Sequence, residues 1–462
     1  MGLAREVAER IGKMQYRDLS EEAIHWGKIA VLDTVGVTLA GSKEDTARIL
    51  DEVLDAPATG PSLILGSDRR VGPLDAALVN GTSAHALDFD NTSSNIGGHI
   101  SAIMVPALIA AAEAHSKSGE DLLLAHAAGF QAGNIGRALN PLHTEKGWHP
   151  TSTVGVFAVT AACARLLGLT VDQIETALAL ATSLAAGTKA NFGTMTKPLH
   201  SGQCARGGLM AALLARKGFT ANPDAFEHKQ GFLALFSDGG RHDVSRVFEN
   251  WGETLQIVSP GAGYKLYPCC YSTHSAIQGA LSLVKEHGVF DPDKIVRVTS
   301  RTSARGLAHT DRANPRSNLE AKFSVQYCVA RALTSGKVVL DHFEGETYKE
   351  PVVQNVLSKV QATPFEGPFF SEDRTDARVE VTLKDGRVLE AKVNAPLGRT
   401  TADPIPTEAL DAKFRDCAER ALSTQQAARV LKQMWALESL ADVNTLTKML
   451  ETKGGGPLKA AA

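Results

Sequence analysis

The sequence predicts a mainly α-helical protein, in which a large all-helical domain is combined with a smaller α+β domain. Three observations lead to this prediction: helical periodicity through residues 1–264, β-branched alternating segments within 265–403, and a return to amphipathic helix in 404–453. We therefore assign residues 1–264 together with 404–453 to the helical domain, and residues 265–403 to the α+β domain. Residues 454–462, "GGGPLKAAA", are expected to form a flexible tail.

The first helices of the large domain are predicted from the signals at their ends. Ser20 precedes Glu21 and Glu22, a pattern typical of a helix N-terminus, and Gly41 predicts the end of that helix. Residues 170–173, "TVDQ", match a capping box, in which the first and fourth side chains bond each other's backbone. Apolar residues at helical spacing follow, so a helix is expected to begin there.

Several later segments of this domain are apolar on nearly every side, namely 102–115, 121–139, 152–168 and 204–217. Helices of this kind belong either in the core of a large protein or in a membrane. The longest strongly apolar run, Ala102–Ala112, has eleven residues and contains Pro106, so it is too short to span a bilayer. We therefore place these helices in a large helical core and expect a soluble protein without a membrane partner.

The smaller domain is predicted from alternating β-branched residues. Residues 295–302, "IVRVTSRT", indicate a strand, and "ARVEVTLKDGRVLEAKVN" indicates a β-hairpin around the turn Asp385-Gly386. Helical segments are expected at about 271–286 and 319–335. Strands and helices in this mixture indicate an α+β unit.

Composition and charge exclude several classes of function. The chain of 462 residues is 44% apolar and 21% charged with a formal net charge of −3, which argues against nucleic-acid or anionic-membrane binding. Its N-terminus, "MGLAREVAERIGK", lacks the apolar core of a signal peptide. The six cysteines show no disulfide-framework spacing, and Cys269 and Cys270 are adjacent. We therefore expect a reducing, cytoplasmic setting.

The common motifs for nucleotide and metal binding are absent from the sequence. There is no G-x-G-x-x-G, no G-x-x-x-x-G-K-[ST], no G-x-S-x-G and no H-E-x-x-H. The segment "DFDNTSSNIGGH" begins like a calcium loop, but Ser93 stands at the glycine position and His99 at the position of the bidentate glutamate. Nucleotide, calcium and zinc sites therefore have no support from motifs.

Polar residues are concentrated where the helices of the large domain break. The segments that carry them are "HALDFDNTSSNIGGHIS", "NPLHTEKGWHPTST" and "NFGTMTKPLH". Pro198 disfavours a helical conformation for Lys197, so we expect this lysine to project from a loop. With Lys265 at the domain junction, these His, Lys, Asp and Thr side chains predict a cationic pocket between the domains for a small anionic carboxylate.

Each of these residues also has a structural interpretation. A single loop histidine such as His143 is more often a surface or hydrogen-bonded structural residue than a catalytic one. Asp88 and Asp90 could cap the following helix, Lys197 could be solvated, and the adjacent cysteines could be small packing residues. The residues alone therefore leave open an enzyme, a non-catalytic carboxylate-binding protein and, with weaker support, a metal-dependent hydrolase.

Five segments must be considered together: "NGTSAHALDFDNT…GGHISA", "GWHPTSTVGVFA", "NFGTMTKPLHSG", "YKLYPCCYSTHSAI" and "NPRSNLEAKFSVQYCVA". In this order and at these spacings they resemble the MmgE/PrpD family, over nearly the whole chain. That family includes 2-methylcitrate dehydratase, cis-aconitate decarboxylase and iminodisuccinate epimerase. The resemblance implies a helical domain built from the N-terminal part and the C-terminal helices, an α+β lid, a homodimer, and an active site without cofactor or metal in the cleft between the domains.

The resemblance also implies a set of site residues, carried over segment by segment. The catalytic candidates are His99 in "GGHIS", His149 in "GWHP", Lys197 in "TKPLH", Lys265 in "YKLYP" and Tyr327 in "FSVQY". The substrate-binding candidates are Asp88, Thr92 and His200. The chain also departs from the family pattern: "HIS" replaces "HPS", the loop from Thr92 to His99 is longer than in the decarboxylases, and Cys270 stands where they have a histidine.

The shared reaction step implied by the family is making or breaking a C–H bond next to a carboxylate of a small di- or tricarboxylic acid. In this hypothesis Lys197 and Lys265 hold carboxylates and the developing charge, His149 is the general base, and His99 or Tyr327 is the acid on the opposite face. We expect a 2-methylcitrate dehydratase-like hydro-lyase. The alternatives are an isomerase of the iminodisuccinate epimerase type, a cis-aconitate decarboxylase-like enzyme, and a non-catalytic carboxylate-binding relative.

Overall fold

A computed structural model of the chain describes residues 2–94, 96–139, 142–237, 240–365 and 376–452, together with Leu458. It is 58% helical and 8% strand, which confirms the prediction of a mainly α-helical protein with a small α+β part. Two compact units are present. The first contains the chain up to Tyr264, Thr400–Ala402 and the residues from Pro406 onward; the second contains Lys265–Arg399 and Asp403–Ile405.

The N-terminal part of the first unit is built from helices and one short antiparallel strand pair, β1 (Ser62–Leu63) with β2 (Arg70–Val71). Its helices in chain order are α1 (Leu3–Lys13), α2 (Glu21–Gly41), α3 (Asp45–Leu54), α4 (Pro73–Ala86), α5 (Ile100–Ala114), α6 (Gly119–Ala132), α7 (Leu142–Glu145), α8 (Pro150–Thr153), α9 (Gly155–Leu166), α10 (Val171–Ala181), α11 (Thr196–Arg216) and α12 (Phe232–Phe236).

The helix ends of this unit follow from local side-chain chemistry. The hydroxyl of Ser20 accepts a hydrogen bond from the backbone N–H of Ala23 at 3.1 Å, and α2 ends at Gly41, so both predicted ends are confirmed. The capping box between Thr170 and Gln173 is also confirmed at the start of α10. These interactions satisfy N–H groups that have no partner inside the helix.

Two predictions for this unit were wrong. Residues 121–139 do not form a single helix, because α6 ends at Ala132 and a 3-10 segment, Gly133–Ala138, continues the chain. Residues 218–260 were expected to continue as helices, but they form mainly turns around the short helix α12. That stretch contains "NPDAFEHKQG" and "NWGE", where Asn, Pro, Asp and Gly favour turns over helix.

The second unit combines helices with one four-stranded sheet of order β4-β3-β5-β6. Its elements in chain order are α13 (His274–His287), β3 (Ile295–Thr302), α14 (Ala304–Thr310), α15 (Asn318–Lys322), α16 (Val325–Ser335), α17 (Pro351–Leu357), β4 (Val360–Pro364), β5 (Ala377–Leu383) and β6 (Val388–Val393). Strand β3 pairs in parallel with β4 and antiparallel with β5.

The predicted strand and hairpin of this unit are confirmed. Strand β3 covers the predicted residues, and β5 pairs antiparallel with β6 across a turn in which Gly386 has a φ of 88°. Alternate residues of β5 are buried, as a strand with one face on a core requires. The helix predicted over 319–335 is instead divided into α15 and α16, because Ser324 adopts an extended conformation and caps α16.

The chain then returns to the first unit with α18 (Thr407–Ala418), α19 (Thr424–Trp435) and α20 (Asn444–Met449). The Lys413 ammonium of α18 lies 2.6 Å from the buried carboxylate of Asp33 in α2, and it also donates to the carbonyl of Phe89 at 2.9 Å. The predicted flexible tail lies outside the described residues except Leu458, which is buried and donates its N–H to Asp51. Among the described residues, no helix has both the length and the apolar character needed to cross a bilayer.

Candidate active site

Several helix ends of the first unit meet at one cluster of polar side chains. His85 lies in the last turn of α4, His99 is the N-cap residue of α5, and His149 is the N-cap residue of α8. Pro150 begins α8, because its fixed φ suits the first position of a helix. The first turn of α11 adds Lys197 to the cluster. The cluster is therefore built by helix ends that the sequence distributes over more than a hundred residues.

The starts of α5 and α8 are held together by a close backbone contact. The N–H of His99 donates to the hydroxyl of Thr151 at 3.1 Å. A Cβ atom at Gly98 would overlap this Thr151 hydroxyl, so only glycine allows the approach. The histidine that precedes α5 is thereby fixed against the first turn of α8.

A second glycine fixes the backbone beside His149. The N–H of His149 donates to the carbonyl of Gly187 at 3.1 Å. Gly187 has a φ of 121°, and a Cβ atom there would overlap the hydroxyl of Ser152 and lie 3.3 Å from the ring of His200. This arrangement brings Nδ1 of His149 to 3.1 Å from Nδ1 of His200.

Lys197 lies on a helix, so the prediction that it projects from a loop was wrong. Helix α11 begins at Thr196, which places Lys197 and Pro198 in its first turn. The N–H groups of a first turn have no partner within the helix, so proline removes no hydrogen bond there. The side chain of Lys197 is largely buried, its Nζ atom lies 2.6 Å from Oδ1 of Asp88, and the ring of Phe192 is 5.2 Å away.

Asp88 lies between Lys197 and His99. Its φ of 53° is in the left-handed region, which aspartate tolerates better than most residues. Nε2 of His99 is 3.8 Å from the same Asp88 oxygen that pairs with Lys197. The structure therefore brings together these three residues, all of which the sequence had marked as site candidates.

Asp90 and His85 belong to the same cluster, although neither was among the predicted site residues. Oδ1 of Asp90 lies 2.9 Å from Nδ1 of His85, and Oδ2 lies 2.9 Å from Nδ1 of His99. Asp90 and the side chain of His85 are fully buried. Both residues could have been proposed from the sequence, because they stand in the segment "HALDFD" together with Asp88.

Burial and neighbouring charges shift the pKa values of His85, His149 and Asp90. Burial, with His85, His99, Lys197 and His200 nearby, lowers the pKa of His149 to about 2. Burial also lowers the pKa of His85 to about 4 against the opposing effect of Asp90. Burial alone would raise the pKa of Asp90, but His85 and His99 hold it below its usual range. At neutral pH, His85 and His149 are therefore uncharged and Asp90 is ionised.

Thr92 helps to hold the backbone of the segment that carries Asp88 and Asp90. Its N–H and carbonyl exchange hydrogen bonds with Gly263 at 2.8 and 2.7 Å. Asn91 donates its side-chain amide to Ser101 at 2.8 Å, and Lys413 holds the carbonyl of Phe89. These bonds fix the backbone on both sides of Asp90.

Lys265 and Tyr327, the remaining catalytic candidates, belong to the second unit. Lys265 is buried, with 2% of its surface exposed. Tyr327 is completely buried in the core of that unit; its hydroxyl donates to the carbonyl of His342 and accepts from Arg331 at 3.2 Å. The catalytic roles of both residues stay predictions that the resemblance implies.

The cluster also contains groups of a type that could hold a metal ion. His85, Asp88, Asp90 and His99 offer ligand atoms within 4.8 Å of one another. However, the ammonium of Lys197 already provides the positive charge at Asp88, and both oxygens of Asp90 face imidazole nitrogens. The carboxylates of the cluster therefore already have charged or polar partners within the protein.

Comparison with known proteins adds a result independent of this geometry. Residues 5–245 match the family description "MmgE/PrpD N-terminal domain", and residues 267–437 match "MmgE/PrpD C-terminal domain". The chain is 30% identical to cis-aconitate decarboxylase from Homo sapiens over its whole length, which covers 96% of that protein. It is 26% identical to cis-aconitate decarboxylase from Aspergillus terreus, over 99% of this chain and 97% of the relative. It is 27% identical to 2-methylcitrate dehydratase from Salmonella typhimurium, over 90% of each chain.

Proposed function

The chain belongs to the MmgE/PrpD family, and from this premise we propose that it is a lyase acting on a small di- or tricarboxylic acid by proton transfer at a carbon next to a carboxylate. Dehydration of a 2-methylcitrate-like hydroxy acid is the reaction that the site supports best. The observation that carries this choice is the burial of His85 and His149 near Lys197, which lowers the pKa of both imidazoles and keeps them neutral. Neutral imidazoles accept protons, and dehydration begins with the removal of one.

Lys197 is proposed to bind the substrate carboxylate next to the reacting carbon. Its ammonium is paired with Asp88 at 2.6 Å, and a substrate carboxylate can share or replace that partner, because it carries the same charge. The positive ends of α5 and α11 add to the favourable potential for an anion. The site is therefore suited to a polycarboxylate and not to a cation.

Removal of the proton leaves an enediolate-like anion, whose charge needs stabilisation in the site. A well-placed charged or hydrogen-bonding donor contributes roughly 3 kcal/mol to such a transition state, and a positioned acid or base contributes roughly 10²–10⁴-fold in rate. Lys197 supplies the first contribution and the imidazoles of His99 and His149 the second. In the dehydration itself, the C–H electron pair becomes part of the new C=C bond, and the hydroxyl leaves as water after the imidazole passes on to it the proton removed from the carbon.

The other candidates keep the roles that the family resemblance implies. We propose that Lys265 holds a further carboxylate of the substrate, and that Asp88, Thr92 and His200 orient its polar groups. Tyr327 is the weakest candidate for the acid, because its hydroxyl proton is already donated to the carbonyl of His342. Substrate-dependent protection of Lys265 from an amine-reactive reagent would support its role.

Decarboxylation of cis-aconitate is the second candidate function. It is favoured by the 30% identity to the human decarboxylase over the whole chain, compared with 27% over 90% of the chain for the bacterial dehydratase. Decarboxylation requires a proton donor, because carbon dioxide leaves and the remaining carbanion must be protonated. The lowered pKa values of His85, His149 and His200 keep these groups neutral, and a neutral imidazole is a poor proton donor. In dehydration the base first receives a proton from the substrate and can pass it to the hydroxyl, so the neutral form supports dehydration.

The proposal is tested by proton NMR in D₂O with citrate, 2-methylcitrate, cis-aconitate, tartrate and iminodisuccinate. We expect loss of water from a hydroxy acid together with deuterium incorporation next to a carboxylate. Lys197→Met should lower this rate roughly 10²–10³-fold, whereas Lys217→Met, at the other end of α11, should not. Carbon dioxide release from cis-aconitate would select the second function, and epimerisation without loss of a group would select an isomerase. Stabilisation by these acids without turnover of any of them would contradict an enzymatic function.

A further inference from the structure

The pairing of Asp90 with two histidines has a consequence for the direction of proton transfer. We propose that Asp90 is a positioning residue that fixes His99 as the proton acceptor of the site, and that His85 holds Asp90 in place. This inference rests on the proposed function, because it names the base for the same C–H bond. It differs from the expectation that His149 is the base.

The carboxylate of Asp90 lies between the two imidazoles. Nδ1 of His85 is 2.9 Å from Oδ1 and 3.1 Å from Oδ2, and Nδ1 of His99 is 2.9 Å from Oδ2. The carboxylate is completely buried, so water does not compete for these oxygens. The contact of His85 has the geometry of a hydrogen bond, whereas that of His99 is equally short but is not aligned as one. At this distance from an ionised oxygen an N–H group is still favoured over a nitrogen lone pair, so we place a hydrogen on each Nδ1.

This protonation leaves Nε2 of each neutral ring as an acceptor. The side chain of His99 is 12% exposed, whereas that of His85 is 0% exposed. Nε2 of His99 also lies 3.8 Å from the Asp88 carboxylate that holds Lys197, so it faces the proposed substrate position. His99 can therefore reach a substrate proton, and His85 cannot.

The contact with Asp90 explains why an imidazole is present at position 85. Within the described part of the chain, its Nε2 atom is buried and has no hydrogen-bond partner. A buried polar atom without a partner costs about 1–3 kcal/mol, so a purely structural role would be served better by an apolar residue. The bond from His85 to Asp90 gives a reason to retain the imidazole.

The charges around the two candidate bases decide between them. A proton on His99 would lie beside the carboxylates of Asp88 and Asp90, with Lys197, His85 and His149 as the other titratable groups nearby. A proton on His149 would instead face Lys197 and three histidines, and the atom that its Nδ1 contacts is a nitrogen of His200. Proton transfer to His99 is therefore the less costly step. The C–H electron pair stays on the substrate as the enediolate, so the step needs no oxidant or co-reactant.

Substitutions at Asp90 and His85 separate positioning from general structural damage. Asp90→Asn should lower kcat roughly 10²–10⁴-fold with little change in KM, because a buried Asp90 does not touch the substrate. His85→Leu should lower kcat roughly 10–100-fold, as loss of an outer-shell partner does. His85→Asn should recover most of that loss, because its amide can donate from the position of Nδ1.

His126→Leu is the matched control for replacing a buried histidine. His126 lies in α6, is 0% exposed, and neither ring nitrogen has a hydrogen-bond partner among the described residues. We expect this variant to retain the wild-type kcat and KM. A kcat that falls equally in His126→Leu and Asp90→Asn would overturn the inference, because it would show a general structural effect.

A second measurement tests the inference without any substrate. Nitrogen NMR of the ¹⁵N-histidine-labelled protein, with His99 assigned by its substitution, reports which ring nitrogen carries the hydrogen. We expect the Nδ1–H form in the wild type and its loss in Asp90→Asn. An Nε2–H form of His99 in the wild type would overturn the inference even if a carboxylic acid is turned over. If no acid is turned over, the proposed function fails, whereas the tautomer still decides the relation between Asp90 and His99.

Discussion

Two buried carboxylates in the first unit have different kinds of partner. Asp33 pairs with Lys413 at 2.6 Å, and a lysine keeps its positive charge at every physiological pH. Asp90 instead faces His85 and His99, whose rings gain or lose a proton close to neutral pH when they are unperturbed. The first pair joins α2 to α18, whereas the second can change its protonation state during a reaction. A permanent charge partner suits a structural role, and a titratable partner suits the proton transfer that we propose.

The largest expected effect on stability is that of Lys413→Met. It leaves the carboxylate of Asp33 buried without its charge partner, which should lower the free energy of unfolding by about 3–5 kcal/mol. Urea unfolding followed by circular dichroism measures this change. Asp33→Asn in the same chain should restore much of the lost stability, because the uncompensated charge is then removed.

The second substitution, Asp90→Asn, tests the other buried carboxylate of this comparison. It should lower the free energy of unfolding by only about 1 kcal/mol, since both neighbouring imidazoles can remain neutral and no buried charge is left unpaired. Its activity should fall far more than its stability. Equal losses of stability in Asp90→Asn and Lys413→Met would remove the distinction between the two carboxylates.

The next effect concerns the pH dependence of stability. Burial lowers the pKa of His126 to about 4, so below the unfolded value of about 6.5 the unfolded chain binds a proton that the folded chain does not. Stability is therefore lost as pH falls from about 6.5 towards 4, and His85 acts in the same direction. His126→Leu should reduce the loss between pH 7 and 5 by about 2 kcal/mol. Urea unfolding at both pH values checks the change, and an unaltered slope would contradict the buried neutral state of His126.

A smaller effect is expected at the backbone that supports His149. Gly187→Ala and Gly147→Ala both place a side chain at a positive φ, of 121° and 102°. Only at Gly187 would the new Cβ overlap a neighbouring side chain, since nothing lies within 4 Å at Gly147. Gly187→Ala should therefore lower the free energy of unfolding by about 1 kcal/mol more, and should also reduce activity. Identical thermal midpoints would show that the contact with Ser152 is easily relieved.

The smallest expected effect is that of a chelator. Asp88, Asp90 and two histidines are ligand types that transition metals accept, whereas Asp33 with Lys413 is not. If the cluster transfers protons as proposed, incubation with EDTA followed by gel filtration should leave kcat unchanged. Loss of activity that zinc or manganese restores would assign the cluster to a metal-dependent reaction.

The histidines illustrate how far sequence interpretation reached. The alternative that a single histidine is a bonded structural residue holds for His143, whose ring nitrogens bond Thr153 at 2.8 Å and the carbonyl of Phe236 at 2.9 Å. His149, only six residues further on, contacts another histidine. No local pattern distinguishes these two residues, because their partners come from other parts of the chain.

Secondary structure was predicted correctly where it depends on residues close together in the sequence. The cap of α2 at Ser20, the capping box of α10 at Thr170 and the hairpin at Gly386 depend on residues within a few positions, so they could be predicted. The conformation of Lys197 was predicted incorrectly from the same kind of information. The first turn of a helix tolerates proline. The packing of α11 outweighs the preference of Lys197, as the residue before a proline, for an extended conformation.

By itself, the sequence determined the mainly helical class, the strand and hairpin of the second unit, and a set of polar segments at helix breaks. Only the tertiary structure decided which polar groups meet. Lys197 reaches Asp88 across 109 positions of the chain, and His149 reaches His200 across 51. The physical reason is range: hydrogen bonds in caps and turns depend on neighbouring residues, whereas burial and charge pairing depend on how distant helices pack. The neutral histidines and the ionised Asp90 therefore follow from the fold.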